Sequence, residues 1–388
     1  LNFSIAKLTN TFRASTCLQL FVLLIALYAV LEPCLPNFAQ MIKPELIPSN
    51  SMRVKITDFL STPSNPDIVI MGSSLVLAPA LHCDAAMLPL SVKEKAIFRK
   101  NQAKSYTKAQ YLEDLLSESS GKNLNIYNLG IPSAMAADNY ILLEEMIACN
   151  KRPDLIILGL AARDFINCAR VNPEQSPLCD EVRRFHKERN YTNADQIRSV
   201  PTVIGENIGA FKNNLVLIKS LANDIVCEWR QKGFKPETQS EQALQEVVLP
   251  TRDAIEQDRI KYSKFFTDAT PQVLRGQLDY ADRIVKLANK AKIPIVIVNM
   301  PVTSTHKALL SPELSSMYQN GIENLAIRND CALIDLDSTS QFDGDSDFRD
   351  SVHLNAKGGR KFYNELVAQI VDRHILTKGI ASTDKAIH

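Results

Sequence analysis

The stretch Asp67-Ile68-Val69-Ile70-Met71-Gly72-Ser73-Ser74-Leu75 decides the fold. Its apolar core, Ile68 to Met71, runs straight into a Gly-Ser-Ser turn. A short β-branched apolar run closed by glycine reads as a strand buried on both faces. In an open α/β sheet the turn after such a strand stands at the carboxyl edge, where these sheets place their ligands. A serine there can face a cleft, but Gly-Ser-Ser is also ordinary turn chemistry. The stretch therefore gives a strand, and the rest of the chain decides between the two readings of its serines.

The same pattern recurs downstream. Leu124-Asn125-Ile126-Tyr127-Asn128-Leu129-Gly130 reads as a second strand and Pro153 to Leu160 as a third, apolar throughout and therefore central. Ile293 to Asn299 and Ala332 to Leu336 supply a fourth and a fifth. Helical patterns lie between them, over 90–120, 138–149, 272–291 and within 301–328, and a last helix, N-capped by Asn355, runs to about Ile375. Strand alternating with helix implies parallel pairing through right-handed crossovers. The expected fold class is α/β: a three-layer α/β/α sandwich with a five-stranded, flavodoxin-like parallel sheet in the order 2-1-3-4-5. Residues 165–270 interrupt the rhythm with helical patterns near 209–233 and 252–266 and no clear buried strand. They read as a helical insertion, either an inserted subdomain or a cap over the site.

The chain has 388 residues, enough for one large core, and a formal net charge of +1, which removes any global electrostatic case for nucleic acid. Leu18 to Leu31 holds a single polar residue, Gln19. With its mildly polar ends it predicts a transmembrane signal anchor over 15–35, in contact with the lipid bilayer. A cleaved signal peptide is the alternative, disfavoured because Glu32, Pro33 and Cys34 offer no small-x-small cleavage site. Lys7 and Arg13 on the N-terminal side put residues 1–14 in the cytoplasm and residues 36–388 outside it, in the periplasm or an equivalent space. Residues 36–66, with Pro36, Pro44, Pro48, Pro63 and Pro66, read as a tether, 67–376 as the folded domain, and 377–388 as a tail.

The eight cysteines include no Cys-x-x-Cys pair, so no structural zinc site is expected. Cys168 and Cys179 flank a polar loop that a disulfide can close in an oxidising compartment; burial as small apolar residues is the alternative. The acidic run Asp343, Asp345, Asp347 lacks the glycine and distal glutamate of a calcium loop. No glycine-rich phosphate loop appears, and no metal or cofactor is expected.

Nucleophilic acyl chemistry needs a serine, a base for its proton and a group that orients the base. Asp350 and His353 lie three apart in a loop after the fifth strand, on the same sheet edge as Ser74. One loose turn can set the carboxylate against one imidazole nitrogen and leave the other facing outward. A developing oxyanion also needs donors. The backbone N–H groups of Ser74 and Gly130 end neighbouring strands, and Arg163, after strand three, is a third candidate. His82 and His306 read as loop histidines, His306 as a residue that can line the pocket.

Gly72-Ser73-Ser74-Leu75, Asn128-Leu129-Gly130, Arg163-Asp164 and Asp350-Ser351-Val352-His353 together resemble, in order and context, the four blocks of the SGNH/GDSL hydrolase superfamily. The first departs from Gly-Asp-Ser-Leu by Ser73 for Asp. The third departs from Gly-x-Asn-Asp by Ala161 for Gly and Arg163 for Asn. The resemblance spans 67–164 and 293–370. It implies catalysis by Ser74, His353 and Asp350 and an oxyanion hole of Ser74, Gly130 and Arg163. Alternatively Arg163 pairs with Asp164 or with an anionic substrate group. A Gly-Ser-Ser block behind a membrane anchor is similar to the D-alanyl transfer protein of teichoic acid modification and the alginate O-acetylation proteins. That similarity implies a serine esterase or O-acyltransferase acting on an acylated carbohydrate or other envelope polymer, with a membrane-bound acyltransferase as partner. The rival class is a catalytically degenerate scaffold binding envelope polymer or a membrane partner. A flavodoxin-type nucleotide binder is a third.

Overall fold

The computed structural model describes residues 52–166, 269–339, 341–344 and 346–376, with parts of 178–185 and 260–266. The expected signal anchor at 15–35, Cys168 and most of the insertion lie outside the described residues, as does the tail. No described helix is long and apolar enough to cross a membrane.

Five parallel strands form one sheet in the order β2-β1-β3-β4-β5: β1 Ile68–Gly72, β2 Ile126–Asn128, β3 Leu155–Leu160, β4 Ile295–Asn299 and β5 Ala332–Asp335. This is the order expected from the strand-helix rhythm. β1, β3 and β4 are buried at every position, as their unbroken apolar runs require. β1 and β3 are in register from Ile68↔Leu155 to Gly72↔Gly159, so the two glycines end side by side.

One face of the sheet carries α2 (Ser74–Met87), α4 (Gln110–Ser120) and α9 (Ala356–Asp372), packed on one another, with α3 (Val92–Gln102) beside α2. The other carries α6 (Pro271–Lys290), which packs on both α5 (Ala136–Ala148) and α8 (Pro312–Arg328). α7 (Ser304–Lys307) is a single short turn after β4.

Two local expectations change. The 90–120 pattern is two helices, because Ser91 caps α3 with a capping box and the chain breaks at 103–109 before α4. Within the expected tether, Met52–Ser61 forms a helix, α1, with Lys55, Ile56, Phe59 and Leu60 buried. The residues at spacings of three and four make an apolar stripe, and Phe59 lies 4.8 Å, centroid to centroid, from Tyr127 on edge strand β2. α1 is thus part of the folded domain.

Candidate active site

Gly72 ends β1 at φ +149°, and a Cβ there would stand 2.6 Å from the Gly159 carbonyl oxygen. A side chain is excluded both by conformation and by the neighbouring strand. The turn it permits separates the two serines by role. Ser73 is the N-cap of α2: its hydroxyl accepts from Leu75 N–H at 3.3 Å and donates to the Asp164 carboxylate. Ser74 is the first residue of the helix, with its side chain turned to His353.

Ser74 Oγ lies 2.8 Å from His353 Nε2. His353 Nδ1 lies 2.9 Å from both Asp350 Oδ1 and Oδ2. An ionised carboxylate only accepts, so Nδ1 carries the proton and Nε2 presents its lone pair to the Ser74 hydroxyl. The loop holding this pair is itself fixed by Asp350, whose Oδ1 accepts from Val352 N–H at 3.1 Å and His353 N–H at 2.8 Å. Burial pushes the Asp350 carboxyl up, but the hydrogen bonds from His353 and the two backbone donors outweigh it and hold it well below the ordinary carboxylate range. The three residues named from sequence are therefore in one hydrogen-bonded chain, drawn from the end of β1 and the loop before α9.

Gly130 departs from expectation. Its N–H donates to Asn128 Oδ1 at 2.8 Å in an Asx turn, so it is committed inside the loop. Its lack of a side chain serves packing instead: a Cβ would stand 2.7 Å from Val76 Cγ2 and 3.1 Å from Leu77 N, in the first turn of α2. Asn128, fully buried, joins the same contact by donating its amide to the Val76 carbonyl. The loop's open donor is at Ser133. Ile131-Pro132-Ser133-Ala134 closes with Ala134 N–H on the Ile131 carbonyl, and Ser133 sits at φ +62°. Proline at the second place and positive φ at the third is the type II signature. That geometry leaves the Ser133 N–H without a hydrogen-bond acceptor among the described residues. The Pro132-Ser133 pair was the sequence signal for it.

Arg163 is 4% exposed and does not reach Ser74 by any hydrogen bond among the described residues. Nη1 donates to the Tyr262 hydroxyl at 3.2 Å, the guanidinium lies 4.9 Å from that ring's centroid, and Nε faces Asp164 Oδ1 at 3.9 Å. Arg163 thus lies against Asp164 and Tyr262, with its Nε in no hydrogen bond among the described residues. Burial pushes the Asp164 carboxyl up to about 6, opposed by the Arg163 charge and the Ser73 hydroxyl.

The two other histidines are helical rather than loop residues. His82 lies in α2 and is pushed down to about 3, first by burial and then by the charge of Arg349, so it is a neutral acceptor. Its Nε2 lies 3.2 Å from Arg349 Nη1, while Arg349 Nε lies 3.4 Å from Asp350 Oδ2. Arg349 thereby ties α2 to the triad carboxylate; only its place next to Asp350 hinted at this in sequence. His306 lies in α7, buried edge-on against Tyr262 and Phe266, and burial brings it down to about 3. Thr303, the N-cap of α7, donates its hydroxyl to the Ser351 carbonyl at 2.7 Å, which joins α7 to the triad loop.

No group of three or more metal-ligating side chains occurs among the described residues. No protein-family model matches the chain, and no curated protein matches it. Among solved structures, an acetyl xylan esterase, AlAXEase, overlaps with a TM-score of 0.34 and 14% identity, covering 78% of this chain and 99% of that one. A likeness of that degree bears on neither fold nor chemistry.

Proposed function

We propose that this protein is a serine esterase or O-acyltransferase of SGNH type. The observation that carries the reading is the Ser74–His353–Asp350 chain, at 2.8 Å and 2.9 Å. Ser74 Oγ attacks the carbonyl carbon of an acyl ester as His353 Nε2 takes its proton. The tetrahedral oxyanion is held by the N–H groups of Ser74, at the start of α2, and Ser133. Collapse breaks the ester C–O bond, and the leaving oxygen takes the proton from Nε2. Water or an acceptor hydroxyl then attacks the acyl carbon as Nε2 takes its proton, the acyl–Oγ bond breaks, and Nε2 returns that proton to Ser74 Oγ. Asp350 keeps the imidazole in the tautomer that accepts from Ser74 and stabilises the imidazolium.

The apolar run Leu18 to Leu31 supports an anchored setting outside the cytoplasm, where acylated envelope polysaccharide is the substrate class and a membrane-bound acyltransferase a fitting partner. Alkaline phosphatase fused at the C-terminus tests the topology, since it is active only when exported. The chemistry is tested with a fluorophosphonate probe and p-nitrophenyl acetate on the purified protein, with Ser74→Ala as control. Labelling and turnover that vanish in Ser74→Ala are expected; their absence in the unmutated protein sinks the enzyme reading.

A further inference from the structure

Lys55 is a buried cation with no anion against it among the described residues. It is 1% exposed, on α1, and its ammonium donates to the carbonyls of Tyr106 at 2.7 Å and Gly130 at 2.8 Å. Burial alone brings it down to about 7. Burying an unpaired charge is costly, and an apolar residue of the same length would serve a purely packing role at less cost. The location of its acceptors is therefore informative.

The second acceptor belongs to the loop that walls the Ser74 turn. The peptide between Gly130 and Ile131 is gripped at both ends: its carbonyl by Lys55 and its N–H by the Gly72 carbonyl at 2.9 Å. Just before it, Leu129 N–H is on Ile70 O and Gly130 N–H on Asn128 Oδ1. Just after it comes the Ile131–Ala134 turn with the open Ser133 N–H. The first acceptor lies in the 103–109 connection, whose Thr107 carbonyl takes the Asn128 N–H. Apart from that Thr107 carbonyl these grips are internal to the sheet edge, whereas that of Lys55 comes from a separate helix.

We infer that Lys55 is a positioning residue for the oxyanion side of the site: it fixes the Gly130–Ile131 peptide and, through it, the direction of the Ser133 N–H. Without the ammonium the Gly130 carbonyl has no partner among the described residues and the peptide is held only by its N–H on the Gly72 carbonyl, which loosens the following turn and its donor. This inference rests on the serine-esterase reading for its kinetic arm but not for its structural one.

The test uses Lys55→Met, close in length and apolar, with Lys55→Arg as the variant that keeps donors. A lost oxyanion donor lowers kcat by roughly 10²–10³-fold, so a misdirected one should cost about 10- to 100-fold. In Lys55→Met, kcat for p-nitrophenyl acetate is expected to fall by that factor with KM within about two-fold, since substrate binding in the ground state does not use the donor. Lys55→Arg is expected to recover most of the loss. Hydrogen exchange is expected to quicken at the amides of residues 130–134 and not in β3 or β4. Unchanged kcat with unchanged exchange at 130–134 overturns the inference, as does faster exchange spread over the whole domain or failure of both variants to fold. If the unmutated protein has no Ser74-dependent turnover, the enzyme reading fails, and the exchange arm still decides whether Lys55 holds the loop.

Discussion

Replacing Asp350 by asparagine changes one atom pair and should remove the base without moving it. Asp350 Oδ1 accepts two backbone N–H bonds, from Val352 and His353, and both oxygens face His353 Nδ1 at 2.9 Å. An asparagine keeps its oxygen on the two backbone donors and turns its NH₂ toward Nδ1. The reverse orientation would set NH₂ against two N–H donors and forfeit two hydrogen bonds, about 1 kcal/mol each and more if the donors are left unpaired. The NH₂ at the Oδ2 place, 2.9 Å from Nδ1, opposes the Nδ1–H tautomer and favours a ring proton on Nε2, in competition with the Asn oxygen that still lies 2.9 Å from Nδ1; in the favoured tautomer Nε2, 2.8 Å from Ser74 Oγ, is a donor. The serine faces an imidazole that cannot take its proton. The tautomer error is worth about 10⁴-fold in kcat, roughly 5 kcal/mol. Steady-state hydrolysis of p-nitrophenyl acetate measures it, with circular dichroism and a urea melt to show that the loop's backbone bonds survive. A folded Asp350→Asn protein with kcat within about ten-fold of the unmutated one would refute the assignment of Asp350 as the group that sets the tautomer.

Other perturbations separate the remaining roles. Ser133→Gly keeps the N–H and suits the positive φ, so activity is expected to persist and stability to rise by about 0.5–1 kcal/mol; loss of activity would assign the work to the hydroxyl instead. Gly72→Ala places a Cβ 2.6 Å from the Gly159 oxygen at φ +149°, and a urea melt should show destabilisation of about 3 kcal/mol or no folded protein. Lys55 also has a pH signature. The unfolded lysine holds its proton to about 10.5 while the folded one releases it near 7, so between those values the unfolded state binds more protons and stability rises with pH. The burial cost is fully present below pH 7 and is relieved toward pH 10.5. Urea melts at several pH values should show this rise flattened in Lys55→Met, and a parallel rise in both proteins would contradict it.

The sheet was legible because its strands are unbroken apolar runs ended by turn residues. Ile68 to Met71 and Leu155 to Leu160 cannot be solvated, and burial on both faces together with helical crossovers leaves few topologies. Asp350 and His353 were legible for a related reason: at a spacing of three in one turn, a carboxylate and an imidazole are neighbours whatever the rest of the chain does. Ser74 was separable from Ser73 only by resemblance; the structure separates them physically, with Ser73 on Leu75 N–H and Ser74 on His353 Nε2.

Tertiary structure alone decided the groups whose partners are distant in sequence or are backbone atoms. Gly130 looked like a donor because it ends a strand, but its N–H turns back to Asn128 and its bare Cα admits Val76. The N–H left open in that loop is at Ser133, whose φ sequence could only hint at through Pro132. Lys55, 75 residues from Gly130, stood in a stretch that reads as a tether. Apolar periodicity reports which side chains leave water. It does not report which backbone N–H remains free, or which carbonyl a buried ammonium finds, because those depend on where the chain folds back.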